Sequence, residues 1–223
     1  MTIETWDDLP FWQSGEWQVI QERLEDLKKA KVVCNPSAEL MFSALDLCPL
    51  NKTVLMIMGQ DPYPDHEFAT GLAFSIPKRF TKYPVTLQNI FREYQEDLGY
   101  RTAPSSGDLS SWATQGVLLW NAIPSCEEGK PGSHKNWFEW DDLTKQIVET
   151  LSEKGIVFGL LGSMARKYEA FIDEEGNEIV ETSHPSPRGN LNSNSPFNGS
   201  RFFSTCNDRL CKLGLTSIDW KLP

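Results

Sequence analysis

Two side chains in this sequence stand in turns stiffened by proline, where acid–base or electrostatic chemistry is feasible. Asp61 lies between Gly59-Gln60 and Pro62-Tyr63, and His184 precedes the run Pro185-Ser186-Pro187. Because proline fixes φ, each turn should hold its polar side chain at a fixed angle. A carboxylate and an imidazole held in this way suit proton transfer or the stabilisation of developing charge. Each is weak evidence alone, since an Asp after a strand is commonly a turn or cap residue.

The elements that must position these residues show a regular alternation. Continuous apolar runs predict buried strands at 54–58, 117–120 and 156–161, with a weaker one at 178–182. Amphipathic patterns predict helices over 21–29, 86–98, 141–154, 163–172 and 201–213, most of which close at a glycine. This order predicts an α/β fold with a central, mainly parallel four-stranded sheet and helices on both faces.

A polar segment follows each predicted strand. These segments are 59–64, 121–125, 162–163 and 184–187. Ligands of open parallel sheets bind outside the carboxyl ends of the strands. We therefore expect the four segments to converge on one crevice.

Length and composition predict one soluble domain over 1–223. A chain of 223 residues with 39% hydrophobic residues can build a proper core. It has no run of 18 apolar residues, and residues 1–10 carry acids where a targeting segment would carry bases. We expect an unprocessed monomer that does not associate with a membrane, in the cytoplasm, or in the nucleus of a eukaryotic host.

The cysteines and histidines indicate neither a disulfide framework nor a metal site. The five cysteines form no close CxxC pair, and their odd number favours a reducing compartment. The three histidines also lack metal-ligand spacing, so no metal and no cofactor are expected.

The net charge of −10 taken alone argues against binding to DNA, which normally depends on Lys and Arg contacts to phosphate. Net charge does not describe one face, however, and a local basic rim is compatible with it. The bases that fall in loops are Lys78, Arg79, Lys82, Lys130, Lys135, Arg188 and Arg201.

Five ordered motifs carry a resemblance to a known family. They are GQDPYP at 59–64, GLAFS at 71–75, LLWNAIPS at 118–125, LLGS at 160–163 and HPSPR at 184–188. In order and spacing the chain resembles family 1 uracil-DNA glycosylases from about Trp6 to Trp220. The resemblance implies hydrolysis of the bond between uracil and deoxyribose, in single- or double-stranded DNA. It also implies a proteinaceous glycosylase inhibitor as a candidate partner.

The resemblance implies catalytic roles for Asp61 and His184. Asp61 matches the acid that stabilises an oxocarbenium-like sugar and orients or activates the attacking water. His184 matches the histidine that donates a hydrogen bond to uracil O2, and the backbone amide of Gln60 would help to receive that oxygen.

Three further matches imply a pocket for a base flipped out of the DNA stack. Phe74 corresponds to the stacking surface under the base. Asn121 matches the amide that accepts from uracil N3–H and donates to O4, and an amide held in one orientation would exclude cytosine. Tyr63 matches the aromatic wall that clashes with the methyl group of thymine. Taken singly, each of the three is more often a packing or turn residue.

Thr86, Ser163 and Ser186 align with loops that hold DNA phosphates through hydroxyls and backbone amides. For His134, which aligns with a family histidine near the site, a supporting role and a structural one both stay open.

The segment after HPSP departs from the family pattern. The position of the usual leucine wedge, which fills the gap left by the flipped nucleotide, is Arg188, and Leu191 follows in a longer loop. Either residue is a candidate wedge, and an insertion without DNA contact is the alternative. Residues 190–200, rich in Asn and Ser, are expected to form an extended surface loop. Pro64 also replaces the usual histidine.

Three other functions compete with uracil excision. A related mismatch glycosylase would act on thymine or hypoxanthine, but such relatives usually lack the acid or the blocking tyrosine that Asp61 and Tyr63 supply. A non-catalytic DNA-binding subunit would not need Asp61, Asn121 and His184 together. An unrelated Asp/His hydrolase would not share the ordered motifs.

Overall fold

The computed structural model describes residues 3–222. Its strands are β1 (Cys34–Asn35), β2 (Leu55–Gly59), β3 (Val117–Asn121), β4 (Cys126–Glu127), β5 (Val157–Leu161) and β6 (Glu178–Thr182). Its α-helices are α1 (Glu16–Lys29), α2 (Ser43–Leu47), α3 (Val85–Leu98), α4 (Ser110–Ala113), α5 (Phe138–Ser152), α6 (Ser163–Arg166), α7 (Pro187–Leu191) and α8 (Phe202–Lys212). No helix within these residues is long and apolar enough to cross a membrane.

The main sheet has the spatial order β3-β2-β5-β6, and every neighbouring pair in it is parallel. Leu55 of β2 lies opposite both Val117 and Val157, and Val157 lies opposite Glu178. Strands β2, β3 and β5 are buried along their whole lengths, as expected for continuous apolar runs covered on both faces. The predicted α/β class and four-stranded parallel sheet are confirmed.

Alternate residues of the central strands enter two separate apolar clusters. Met56 and Met58 join the cluster that contains the buried residues of α1 and α5, whereas Leu55 and Ile57 join that of α3 and α8. Successive side chains of a strand point to opposite faces of the sheet, so an entirely apolar strand contributes to both clusters. The sheet is thus fixed from both sides and supports the segments that follow its carboxyl ends.

Two of the predicted elements are wrong in part. The predicted helix 163–172 divides into α6 and a 3₁₀ turn at Glu169–Phe171, because Tyr168 is buried there and its hydroxyl donates to Asp141 Oδ1 at 2.6 Å. The segment 190–200 is not a wholly extended surface loop. It begins inside α7, where Ser186 caps the helix, and the side chain of Phe197 is only 1% exposed.

A second sheet, which the sequence did not predict, pairs β1 with β4 in antiparallel fashion. Cys34 lies opposite Glu127, and Asn35 lies opposite Cys126. Strands of two residues are too short to give a periodic pattern. This pair matters because β4 leads into the loop 127–134, which reaches the candidate site.

Gly71 should be intolerant of any side chain. Its φ is +81°, and a Cβ there would lie 1.7 Å from the carbonyl oxygen of Leu40. Gly71→Ala should lower the free energy of unfolding by more than about 3 kcal/mol in urea titrations. The matched control is Gly176→Ala, where φ is +104° but nothing lies within 4 Å, and its cost should be about 1 kcal/mol. Equal losses for both variants would contradict the importance of the close approach.

Candidate active site

A pocket of about 160 Å³ lies at the carboxyl ends of the central strands. The structure brings six of the residues singled out by the sequence into its lining. They are Asp61, Tyr63, Phe74, Thr86, Asn121 and His184. Three of the four segments expected to converge, those after β2, β3 and β6, therefore line one crevice at the same edge of the parallel sheet. The fourth, 162–163 after β5, does not line it, although Gly162 packs against His184.

Asp61 holds its carboxylate in a largely dehydrated wall of this pocket. The backbone N–H of Gly132 donates to Asp61 Oδ2 at 2.5 Å. Burial raises the pKa of the Asp61 carboxyl above its ordinary value, and the Gly132 hydrogen bond opposes that rise only in part. A carboxylate that has lost water and gained one donor interacts strongly with any positive charge that forms beside it.

The loop 127–134 is itself tied to the segment that carries Asp61. The backbone N–H of Gly129 donates to the carbonyl of Pro64 at 2.7 Å, and the N–H of Glu127 donates to Ser133 Oγ at 2.7 Å. Pro64 therefore helps to hold the loop through its backbone oxygen, although it lacks the side chain of the histidine usual at this position. No residue type in the sequence indicates the Gly132 contact, because a backbone N–H is present at almost every position.

His184 is held as a neutral ring with a free donor. The backbone N–H of Ser186 donates to His184 Nδ1 at 3.1 Å, so the ring proton of the neutral form belongs on Nε2. Burial lowers the pKa of His184 to about 4. Gly162 and Gly189 pack directly against this residue: a Cβ at Gly189 would lie 2.1 Å from the His184 carbonyl oxygen.

Tyr63 and Phe74 are two aromatic residues of the pocket wall that are linked by a hydrogen bond. The Tyr63 hydroxyl donates to the carbonyl oxygen of Phe74 at 3.0 Å, and burial raises the pKa of the phenol. Phe74 has a φ of +67°, uncommon for a residue with a side chain, and its ring centroid lies 5.7 Å from that of His184. Phe68 packs edge-on against Tyr63 and fixes it from behind.

Asn121, the last residue of β3, is 6% exposed. Its amide forms no hydrogen bond with another group of residues 3–222, so both its donor and its acceptor remain unused by the protein. Packing sets its position, since a Cβ at Gly59 would lie 2.8 Å from Asn121 Oδ1. A buried amide without protein partners favours a ligand that offers a complementary pair of polar groups.

Five predicted site residues do not line the pocket. Gln60 accepts a backbone hydrogen bond from Ile123 at 2.9 Å, and Ser186 Oγ accepts from Gly189 at 3.2 Å as the cap of α7. Ser163 is exposed at the start of α6, and Arg188 and Leu191 are exposed on α7, with Leu191 83% exposed. These residues lie outside the pocket rather than within it.

His134, the last residue of the loop 127–134 that carries Gly132, is 1% exposed. Trp140 Nε1–H donates to Ser125 Oγ at 2.9 Å, and that oxygen lies 2.8 Å from His134 Nδ1. The His134 ring stacks on Trp137 with centroids 3.8 Å apart, and burial lowers its pKa to about 4. Through these contacts His134 helps to hold the loop 127–134 in place.

The expected basic rim is partly neutralised. Lys130 pairs with Glu127 at 2.5 Å, and Arg201 lies 3.8 Å from Asp97. Within the described part of the chain, the exposed bases Lys78, Arg79, Lys82, Lys135 and Arg188 form no ion pair. Their positive charge remains available to an anionic partner.

A potential set of metal ligands, not indicated by the sequence spacing, lies beside the pocket. One ligand atom each from Asp65, His66 and Glu128 falls within 4.8 Å of the others. Glu128 already accepts hydrogen bonds from Asn35 Nδ2 at 2.6 Å and from the His66 backbone at 3.1 Å. Protein hydrogen bonds therefore account for much of this arrangement.

Comparison with known proteins identifies one family. Residues 45–211 match the model of the uracil DNA glycosylase superfamily. The chain is 44% identical to the uracil-DNA glycosylase of Campylobacter jejuni strain RM1221, over 86% of this chain and 80% of that protein. It is 38% identical to the uracil-DNA glycosylase of Ruegeria sp. strain TM1040, over 98% and 89%.

Among solved structures, the mimivirus uracil-DNA glycosylase superposes with a TM-score of 0.82 at 25% identity, covering 96% of this chain and 87% of that one. A mutant of the mimivirus protein in complex with UGI gives a TM-score of 0.85 at 25% identity, covering 95% and 86%.

The neutral state of His184 can be tested by ¹⁵N NMR. The ring should show the Nε2–H tautomer at pH 7 and titrate near pH 4 instead of 6.5, because burial opposes the charged form. Between these values the unfolded chain binds a proton that the folded chain does not. The free energy of unfolding should therefore fall as the pH drops from 6.5 towards 4. His184→Gln should remove this contribution, and a midpoint near 6.5 would contradict the assignment.

Proposed function

Because the chain belongs to the uracil DNA glycosylase superfamily, we propose that the pocket lined by Asp61 and His184 excises uracil from DNA. The chain is a uracil-DNA glycosylase: it hydrolyses the N-glycosidic bond and leaves an abasic site, which starts base excision repair. One observation carries the assignment of the site. A partly buried carboxylate and a neutral imidazole donor line the same small pocket as an aromatic ring and an amide that has no hydrogen-bond partner within residues 3–222.

The reaction breaks the bond between deoxyribose C1′ and uracil N1, and the bonding electron pair leaves with the base. Asp61 stabilises the cationic sugar and takes a proton from the water that adds to C1′. His184 Nε2–H donates to uracil O2, where the negative charge of the departing base collects. The uracil anion then takes a proton from solvent and Asp61 returns its proton to solvent, so the products are uracil and the abasic sugar and the carboxylate is regenerated.

Burial suits both groups to these tasks. Burial disfavours the ionised form of Asp61 in the free pocket. The positive charge on the sugar offsets this cost, and it does so most in the transition state, where that charge is largest. His184 stays neutral at physiological pH and donates without bringing a second positive charge beside the sugar. The backbone of Gln60 is a further candidate donor to O2.

Specificity rests on three residues of the pocket wall. The Phe74 ring stacks on the flipped base. The Asn121 amide accepts from N3–H and donates to O4, and cytosine presents the opposite pattern. The Tyr63 ring, fixed by its bond to Phe74 O and by Phe68, occupies the space that the thymine methyl group would need.

The DNA surface is proposed to include Thr86, Ser163 and Ser186 as phosphate contacts. Leu191 is the better of the two candidate wedges, because it is an 83% exposed aliphatic side chain at the end of α7, four residues after Pro187. Arg188, one turn earlier, is then placed to bind a DNA phosphate or to stack on a base.

The motifs at 59–64 and 184–187 support a place in family 1. A mutant of the mimivirus protein has been solved in complex with UGI, and we infer that UGI also binds this chain.

Asp61→Asn and His184→Ala should each slow single-turnover uracil release by roughly 10²–10³-fold, because both act on charge that develops in the transition state. Binding of uncleaved uracil DNA should change far less. The neighbouring variants Asp65→Asn and His66→Ala, outside the pocket lining, serve as controls and should retain the wild-type rate. Near wild-type cleavage by either pocket variant would refute its assigned role.

Wild-type protein should release uracil, but not mispaired thymine or hypoxanthine, from oligonucleotides in the presence of EDTA. Tyr63→Ala should add thymine release and Asn121→Asp cytosine release, since one removes a steric block and the other supplies an acceptor for the cytosine amino group. Tyr63→Phe is the control that keeps the ring and should still exclude thymine. Alkaline cleavage of uracil-free DNA measures new abasic sites, and their absence in both variants would refute the pocket assignment.

A further inference from the structure

Residues 195–200, the second half of the segment 190–200, are bound to the chain immediately before His184. The backbone N–H of Ser183 donates to the carbonyl of Ser195 at 2.9 Å, and the N–H of Phe197 donates to Ser183 Oγ at 3.0 Å. Phe197 is buried in the core beside Phe202. The far end of this segment is therefore fixed, although its composition is that of a free loop.

Three asparagines close a ring of hydrogen bonds around the chain immediately after His184. Asn89 Nδ2 donates to Pro185 O at 2.8 Å, and Asn190 Nδ2 donates to the same oxygen at 3.3 Å. The backbone N–H of Asn198 donates to Asn190 Oδ1 at 3.0 Å, and Asn198 Nδ2 donates to Asn89 O at 3.3 Å. The ring joins α3, the segment 184–187, α7 and residues 195–200.

Glu93 binds residues 199–201 to α3. Its carboxylate, 1% exposed, accepts from the backbone N–H of Arg201 at 2.6 Å and also from that of Gly199. The ring of asparagines is thus built on a helix whose side chains Leu87 and Ile90 are buried in the apolar cluster that α3 shares with α8.

Helix α7 depends on this support. It has only five residues, and a helix of that length is not stable alone. Asn190, the residue before Leu191, uses both ends of its amide, one towards Pro185 and the other towards Asn198.

We propose that Asn190 is a positioning residue for DNA: its side-chain hydrogen bonds to Pro185 O and from Asn198 N–H hold α7 so that Leu191 is presented in a fixed place to a duplex. The proposal rests on the proposed function. A wedge fixed before binding avoids the entropy cost of ordering it in the complex. Single-stranded substrates leave no paired stack to fill, so they should not need this rigidity.

The test compares Asn190→Ala with Asn194→Ala, an exposed asparagine of the same loop whose side chain forms no hydrogen bond within residues 3–222. Single-turnover uracil release is measured on a duplex and on the matching single strand. Asn190→Ala should lose about tenfold on the duplex and less than about twofold on the single strand. Asn194→Ala should match the wild type on both.

A double-mutant cycle tests whether Asn190 acts through Leu191. On the duplex, the variant with both Asn190→Ala and Leu191→Ala should be no slower than Leu191→Ala alone. Fluorescence of 2-aminopurine next to the uracil should show slower flipping for Asn190→Ala and the wild-type rate for Asn194→Ala.

Several results would overturn the proposal: no duplex loss, an equal loss on both substrates, or additive losses in the double variant. If Asn190→Ala does not fold, Asn198→Ala, which removes only the bond to Asn89, should show a smaller loss confined to the duplex. Absence of uracil release by wild-type protein from both substrates would instead refute the proposed function itself, and the two failures are thereby distinguishable.

Discussion

The pairing of Gly59 with Asn121 at the ends of β2 and β3 is the constraint on which the pocket depends. A Cβ at Gly59 would lie 2.8 Å from Asn121 Oδ1 and 3.1 Å from Phe74 Cζ. The missing side chain therefore makes room both for the Asn121 amide, proposed to read the base, and for the Phe74 ring, proposed to stack on it. Since the parallel register sets this pairing, the recognition geometry follows directly from the sheet.

Burial acts in opposite directions on the two proposed catalytic groups, and both effects serve one reaction. It raises the pKa of Asp61 and so leaves its carboxylate poorly stabilised until a cation forms nearby. It lowers the pKa of His184 and so keeps a neutral donor beside the leaving group. The protein carries a net charge of −10, yet these effects are local, because interactions in a dehydrated pocket are much less screened than those at the surface.

The loop 127–134 and the asparagine ring support the two sides of the site. The loop gives Asp61 its hydrogen bond from Gly132, and the ring holds the backbone at Pro185, next to His184. Both supports use backbone groups and buried amides, which satisfy polar atoms and restrict motion together. The site is thus held by rigid parts of the fold, while Leu191 remains exposed outside it.

The sequence by itself determined the fold class and six residues of the pocket lining. Apolar runs defined the strands to within about one residue, and ordered motifs identified Asp61, Asn121 and His184. Only the tertiary structure decided the Gly132 contact with Asp61, the Nε2–H tautomer of His184 and the ring that joins Asn190 to Asn89. These features depend on backbone atoms and on residues distant in the chain, whose positions residue types do not encode. The polar composition of 190–200 predicted an extended surface loop, because it cannot show that buried partners elsewhere satisfy its amides.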